Sequence, residues 1–213
     1  MDSPLETART THHRNPSRGS HDRALIDAIL DEGLVAHVGV VLEGVPFVLP
    51  MAFARLGRAV FLHGAPASRL LRAMAGGASL CVTVTLLDGL VLARSAFHHS
   101  MNYRAVMIFG RAMLVEDPAR KRQAFDALLD RVAIGRSREA RPASDHELAA
   151  TTVVELAIDE ASAKVRTGGP KDGAEDRDWP CWAGHVPLRL APGTPVPAPV
   201  LPLLLTREAP SLR

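Results

Sequence analysis

The hydrophobic pattern changes period repeatedly along the chain, and each change marks an element. From His21 to Glu32 the apolar residues Leu25, Ile26, Ile29 and Leu30 recur at helical spacing, with Gly33 as a stop. Leu34 to Leu42 alternates with period two, Glu43-Gly44 supplies a turn, and Val45 to Phe53 continues as a second strand, apolar on both faces. Pro46 and Pro50 remove ladder N–H groups there, which confines that strand to an edge, a bulge or a bent barrel wall. Arg58 to Met74 reads as strand, tight turn at His63-Gly64, and helix carried by Leu70, Leu71 and Met74, ending at Gly76-Gly77. Ser79 to Leu87 and Leu90 to Ser95 predict a hairpin around Asp88-Gly89, followed by a polar connection from Phe97 to Asn102 and a long strand from Tyr103 to Val115.

Asp117-Pro118 caps a helix whose apolar face is Phe125, Leu128, Leu129 and Val132, and Gly135 ends it. Ser144 and Glu147 have capping-box spacing for a short helix, and Thr152 to Arg166 returns to strand with a break near Asp159-Glu160. Three segments follow: a flexible polar lead at 1–20, one folded domain at 21–167, and an extended Gly- and Pro-rich segment at 168–213 that wraps on the domain or stays loose. Six or seven strands with short antiparallel connections and a few inserted helices give a mainly β fold, a barrel rather than an alternating βαβ arrangement.

Composition narrows the function. The 213 residues are 47% hydrophobic, enough for one real core, and 25 basic against 23 acidic residues leave no nucleic-acid footprint. The Arg120-Lys121-Arg122 run reads as a solvated helix face. Cys81 and Cys181 are too far apart for a metal motif and read as free thiols, as in a cytoplasmic protein. No apolar run reaches membrane-spanning length, and the N-terminus lacks a signal-peptide core, so a soluble protein without membrane contact is expected. GxGxxG, GxxxxGK[ST] and GxSxG are absent, which leaves the nucleotide folds and hydrolases those motifs mark without support.

The strand–turn–helix from Arg58 to Met74 carries the strongest chemical signal. A helix start directly after a strand offers unpaired N–H groups, and Ser68 and Arg69 add a hydroxyl and a permanent cation suited to phosphate. The alternative is a local Ser68 cap beside a solvated Arg69. Nine histidines include the pairs His12-His13 and His98-His99, but no metal-ligand spacing accompanies them, so no metal is assigned. His37, in mid-strand, reads as a hydrogen-bonded core or interface residue, and His63 closes the strand beside the phosphate turn.

PFVLPMAFARLGRAVFLHGAPASRLLRAM, then VTVTLLDG, then NYRAVMIFGRAMLVEDP, resemble the pyridoxamine 5′-phosphate oxidase-like flavin-binding proteins. The branch that includes nitroimidazole-resistance-type proteins is the nearest in pattern, over about Asp22 to Arg166, and WAGHVPL in the C-terminal segment also fits it. The resemblance implies a Greek-key split β-barrel that forms a homodimer, with FMN in a groove at the subunit interface; FAD or haem are the alternative cofactors. It implies that Leu49, Pro50, Met51 and Ala52 border the flavin ring, that His63 and Gly64 lie beneath the ribityl chain, and that Ser68 and Arg69 hold the phosphate. Asn102 and Tyr103 would line the other side, with Lys164, Arg166 and Trp182 reaching in from the second subunit.

Departures from that pattern speak against pyridoxamine phosphate oxidation itself. Leu70 stands where oxidases proper have a lysine, Ala105 where the family has glutamine or serine, and the tail reads Pro187-Leu188-Arg189-Leu190 in place of an RxH pattern. The resemblance therefore implies a flavin-dependent oxidoreductase acting on a small nitro, quinone or similar acceptor, with Tyr103, His63 and His98 as candidate proton donors near N5. The alternative is a flavin- or haem-binding protein without turnover, for which His37, His63, His98 and His99 are the axial candidates.

Overall fold

The computed structural model describes residues 5–198; the last part of the expected C-terminal segment, 199–213, lies outside the described residues, as do 1–4. In chain order the elements begin with β1 (Gly19–Ser20), α1 (Arg23–Glu32), β2 (Val35–Leu42), β3 (Val45–Leu56), β4 (Ala59–Gly64), α2 (Arg69–Ala75) and β5 (Ser79–Leu92). They continue with β6 (Ser100–Arg111), β7 (Met113–Leu114), α3 (Pro118–Val132), α4 (Arg136–Glu139), α5 (Asp145–Ala149), β8 (Thr152–Ala157), β9 (Glu160–Arg166) and β10 (Gly184–Pro187). All pairings are antiparallel, in the order β1-β9-β6-β5-β2-β3-β4-β8-β7, with β10 added to β5.

β3 turns the corner that splits the barrel. Val45–Ala52 pair with β2, and Phe53–Leu56 pair with β4. Over its first half β3 has one neighbour, so Pro46 and Pro50 sit on an edge where a missing N–H costs little. The two halves close on each other at Gly110 of β6, where an added Cβ would stand 2.8 Å from Leu156 Cδ1 of β8. Inside lie Ala36, Val38, Val82, Val84, Val106, Ile108, Val154 and Leu156, plugged by Ile26, Ile29 and Leu30 of α1. Arg131 of α3 donates to the carbonyls of Leu30, Asp31 and Gly33, capping the C-terminal end of α1. A second cluster, Ala59, Phe61, Val115, Ala124 and Val153, packs β4 and β8 under α3.

The fold is the mainly β split barrel expected, with three differences. There are ten strands among the described residues rather than six or seven, because β1, β7 and β10 are short additions and the long strand ending at Val115 divides at Ala112. Asp88-Gly89 is not a hairpin turn: β5 runs through it with a bulge between Leu87 and Gly89. Gly89 has no left-handed φ, and Asp88 is held in line by Arg104 Nε at 2.9 Å. Residues 5–20, expected to be mobile, lie against the barrel: Leu5 joins the core, Arg9 pairs with Glu160 over the Phe109 ring, and β1 pairs with β9. Among the described residues no helix is long and apolar enough to cross a membrane.

Candidate functional site

Residues directly opposite one another in a ladder share a face, so register decides which candidates meet. Ala36, Val38 and Val40 of β2 are buried; Val35, His37 and Val41 between them are exposed. His37 stands opposite Pro50 and Thr83, Thr83 opposite Met107, Thr85 opposite Ala105, and Ala105 opposite Lys164. These residues form an outer face across β3, β2, β5, β6 and β9, mixed in polarity and ranging from half-buried to exposed. Val41 and Val48 are each 63% exposed on it. Of the four consecutive flavin-edge candidates, Pro50 and Ala52 lie on this face. Leu49 and Met51 alternate to the other side, opposite buried Val38 and Ala36, and Met51 packs against the core.

At the β2–β3 end the sheet meets the start of α2. Ser68 is the N-cap, its Oγ accepting from Leu71 N at 3.4 Å, and Gly64 lets β4 approach α2, since a Cβ there would stand 3.0 Å from Leu71 Cδ2. The Arg69 guanidinium lies 5.2 Å from the Phe47 ring centroid. Arg69 and Arg72 border an open cavity of about 390 Å³ with Val41, Val45 and Phe47. Neither arginine forms an ion pair among the described residues, so two permanent cations border the cavity, which the Glu43 carboxylate also lines.

The remaining candidates divide. Tyr103 is half-buried on β6 opposite Leu87, and Lys164 is half-buried opposite Ala105, both with the outer-face set. His63 is elsewhere: it follows Phe61 in parity and packs toward α3, 6.2 Å from the Phe125 ring. Its Nδ1 is buried without a hydrogen-bond partner among the described residues, and burial pushes its pKa below the ordinary value. Asn102 and Arg166 satisfy each other. Arg166 Nη1 donates to Asn102 Oδ1 at 2.5 Å, Asn102 Nδ2 to Gly168 O at 3.1 Å and Arg166 Nη2 to Gly169 O at 3.2 Å, so the pair braces the loop after β9. Trp182 is exposed beside β10.

Sequence reasoning missed the C-terminal strand and what it assembles. β10 pairs with Gly89–Leu92 of β5, Asp172 accepts from Arg94 N at 2.9 Å, and Cys181 Sγ lies 4.0 Å from Arg94 O. The segment thus contacts Arg94, at the start of the loop after β5, in which His99 Nδ1 meets Ser95 O at 3.0 Å. The available signal was the short alternation ending in His185-Val186-Pro187-Leu188. Among the described residues no group of three or more His, Cys, Asp or Glu converges to hold a metal ion.

The sequence profile of the family described as pyridoxamine 5′-phosphate oxidase matches residues 22–165. The chain belongs to that family. It is similar to the flavocytochrome Anf3 from Azotobacter vinelandii, at 42% identity and a TM-score of 0.88 over 98% of this chain and 96% of that one. It is also similar to the FAD and haem binding protein from Mycobacterium smegmatis, at 40% identity and a TM-score of 0.84 over 88% and 92% of the two chains. A 5-nitroimidazole antibiotic resistance protein from Bacteroides thetaiotaomicron matches at 25% identity and a TM-score of 0.57 over 69% and 86%. No match is found among curated proteins. Leu70, in place of the lysine of family oxidases proper, is a buried core residue here, and Ala105 adds no polar atom to the outer face.

Proposed function

We propose that this chain is a flavin- and haem-binding redox protein that works as a homodimer, its flavin lying on the outer face with the phosphate end toward Ser68 and Arg69. The observation that carries the reading is the extent of the likeness. The flavocytochrome covers 98% of the chain, which takes in the N-terminal lead and the C-terminal strand outside the family match, whereas the nitroimidazole-resistance protein covers 69%. The residues fit a flavin. Pro50, Ala52, Val35 and Met107 offer a flat apolar surface to a ring system, and Arg69 and Arg72 supply unpaired positive charge for one phosphate or two. Two cations suit the FAD named for the mycobacterial relative as well as FMN.

A bound flavin supplies hydride and single-electron chemistry. The chain positions it, excludes water and accepts the phosphate charge. Tyr103, half-buried on the outer face, is the side chain placed to donate a proton; His63, turned toward Phe125, is not. We infer oxidoreductase activity toward a small nitro, quinone or related acceptor, with no obligatory protein acid or base. The exposed Val35, Val41, Val48 and Met107 leave an apolar surface that a second copy would cover, placing the cofactor between subunits.

The experiment is an absorption spectrum of the purified protein, chromatography of the released flavin, and light scattering. Flavin bands, FMN or FAD on release, a Soret band and a dimer mass are expected. A colourless monomer that ignores added FMN, FAD and haem overturns the reading.

A further inference from the structure

We infer that His99 is an axial haem ligand, presenting Nε2; the inference rests on the haem part of the reading above. Four histidines were open as ligands on sequence, and the structure separates them. A backbone carbonyl only accepts, so the contact of His99 Nδ1 with Ser95 O at 3.0 Å places the ring proton on Nδ1 and leaves the Nε2 lone pair bare. An N–H to carbonyl bond on the far nitrogen is also how a metal-bound imidazole is oriented and made more basic. His99 is exposed, so that lone pair is accessible. His63 is half-buried against Phe125 with Nδ1 closed off, and His37 stands on the outer face assigned to the flavin. His98 is half-buried with its ring edge-on to Phe97, centroids 5.2 Å apart, and no acceptor fixes its tautomer among the described residues.

The loop that carries His99 and the C-terminal segment that contacts that loop both bear exposed aromatic side chains. Three aromatic side chains are exposed among the described residues: Phe97 at 89%, Trp179 at 65% and Trp182 at 64%. All three belong to two segments that meet at Arg94. Phe97 is in the loop that carries His99, while Trp179 lies between Asp172 and Cys181, which contact Arg94, and Trp182 follows directly. A single exposed aromatic is ordinary, but three on two segments joined at Arg94, one of which carries His99, are apolar surface of the kind a porphyrin buries.

The test uses the full-length protein, purified and then titrated with ferric haem. The wild type should show a Soret band, and H98A and H37A should keep it. H99A should lose or shift the band while retaining flavin content and circular dichroism, with haem affinity reduced by more than the roughly 10–100-fold typical of losing a ligand's outer-shell partner. H99G should recover the wild-type band when imidazole is added, which a merely structural role would not produce. A wild-type Soret band left unchanged in H99A, or lost in H98A or H37A instead, overturns the assignment of His99 and leaves haem binding standing. A wild type that takes up flavin but shows no Soret change with haem overturns the haem reading itself.

Discussion

The two faces of the β2–β5–β6 sheet are built from adjacent residues of the same strands and have opposite fates. Val38, Val82 and Ile108 point inward and are fully buried, whereas one position away His37 and Met107 are exposed and Thr83 between them is half-buried. The inner row is uniformly branched aliphatic, as a barrel core requires; the outer row mixes proline, histidine, threonine and methionine. Burial and exposure are therefore separated by residue parity, and with binding proposed on the outer face, substitutions one position apart should report on different properties.

Ile108→Ala should produce the largest effect, a loss of about 2–5 kcal/mol in denaturant unfolding, because it opens a cavity in the closed face. Met107→Ala next to it should stay within about 0.5 kcal/mol, and equal losses at the two positions would break the comparison. At the phosphate end, Arg69→Ala should weaken flavin binding about tenfold or more, from a charge-assisted contact of roughly 1.5–3 kcal/mol, with the unfolding midpoint of the flavin-free protein unchanged. Fluorescence titration measures it, and unaltered affinity would put the phosphate elsewhere. Met107→Glu sharpens the contrast further: the fold should survive while self-association weakens by roughly 1–3 kcal/mol, as a carboxylate is brought into an apolar contact. Light scattering across a concentration series reads that out.

The smallest expected effect is a pH dependence. Burial holds the pKa of His63 below its ordinary value, and burial, aided by His21 and Lys164, does the same for His12. With native pKa values depressed, the unfolded chain binds more protons as the pH drops, so this contribution is complete above about pH 6.5 and is lost as the pH falls from there toward the native values. Unfolding measured at pH 7.5 and 5.5 should show lower stability at the acid end, and His63→Phe should flatten part of the slope. No flattening would mean that His63 is solvated.

Much of this fold was legible because its signals are local. Glu43-Gly44 was read as a turn and adopts one, with φ of 52° and 77°. Asp88-Gly89 carries an equally strong turn signal and does not adopt one, because its partners lie elsewhere: Arg104 from the neighbouring strand and Val186-Pro187 from the far end of the chain. No local rule contains those contacts. In the site, Ser68 and Arg69 were legible as a strand–helix junction. The division of Leu49 and Met51 from Pro50 and Ala52 was not, since a strand apolar on both sides gives no parity cue. Arg166 was read as a cofactor contact on resemblance alone, and its commitment to Asn102 and two carbonyls depends on a loop whose course the sequence leaves open.

The borrowed neighbour of β5 has a practical consequence. Its first half is flanked by β2, and its last four residues, past the bulge, are flanked by β10, a strand from almost a hundred residues downstream. A chain cut at Arg166, one residue past the family match, would keep β1 to β9 and still expose the backbone of Gly89–Leu92 as an unprotected edge. Such a truncation should fold and then stick to itself. Anyone trimming this protein for crystals, fusions or display should count Leu188, not Arg166, as the shortest safe terminus.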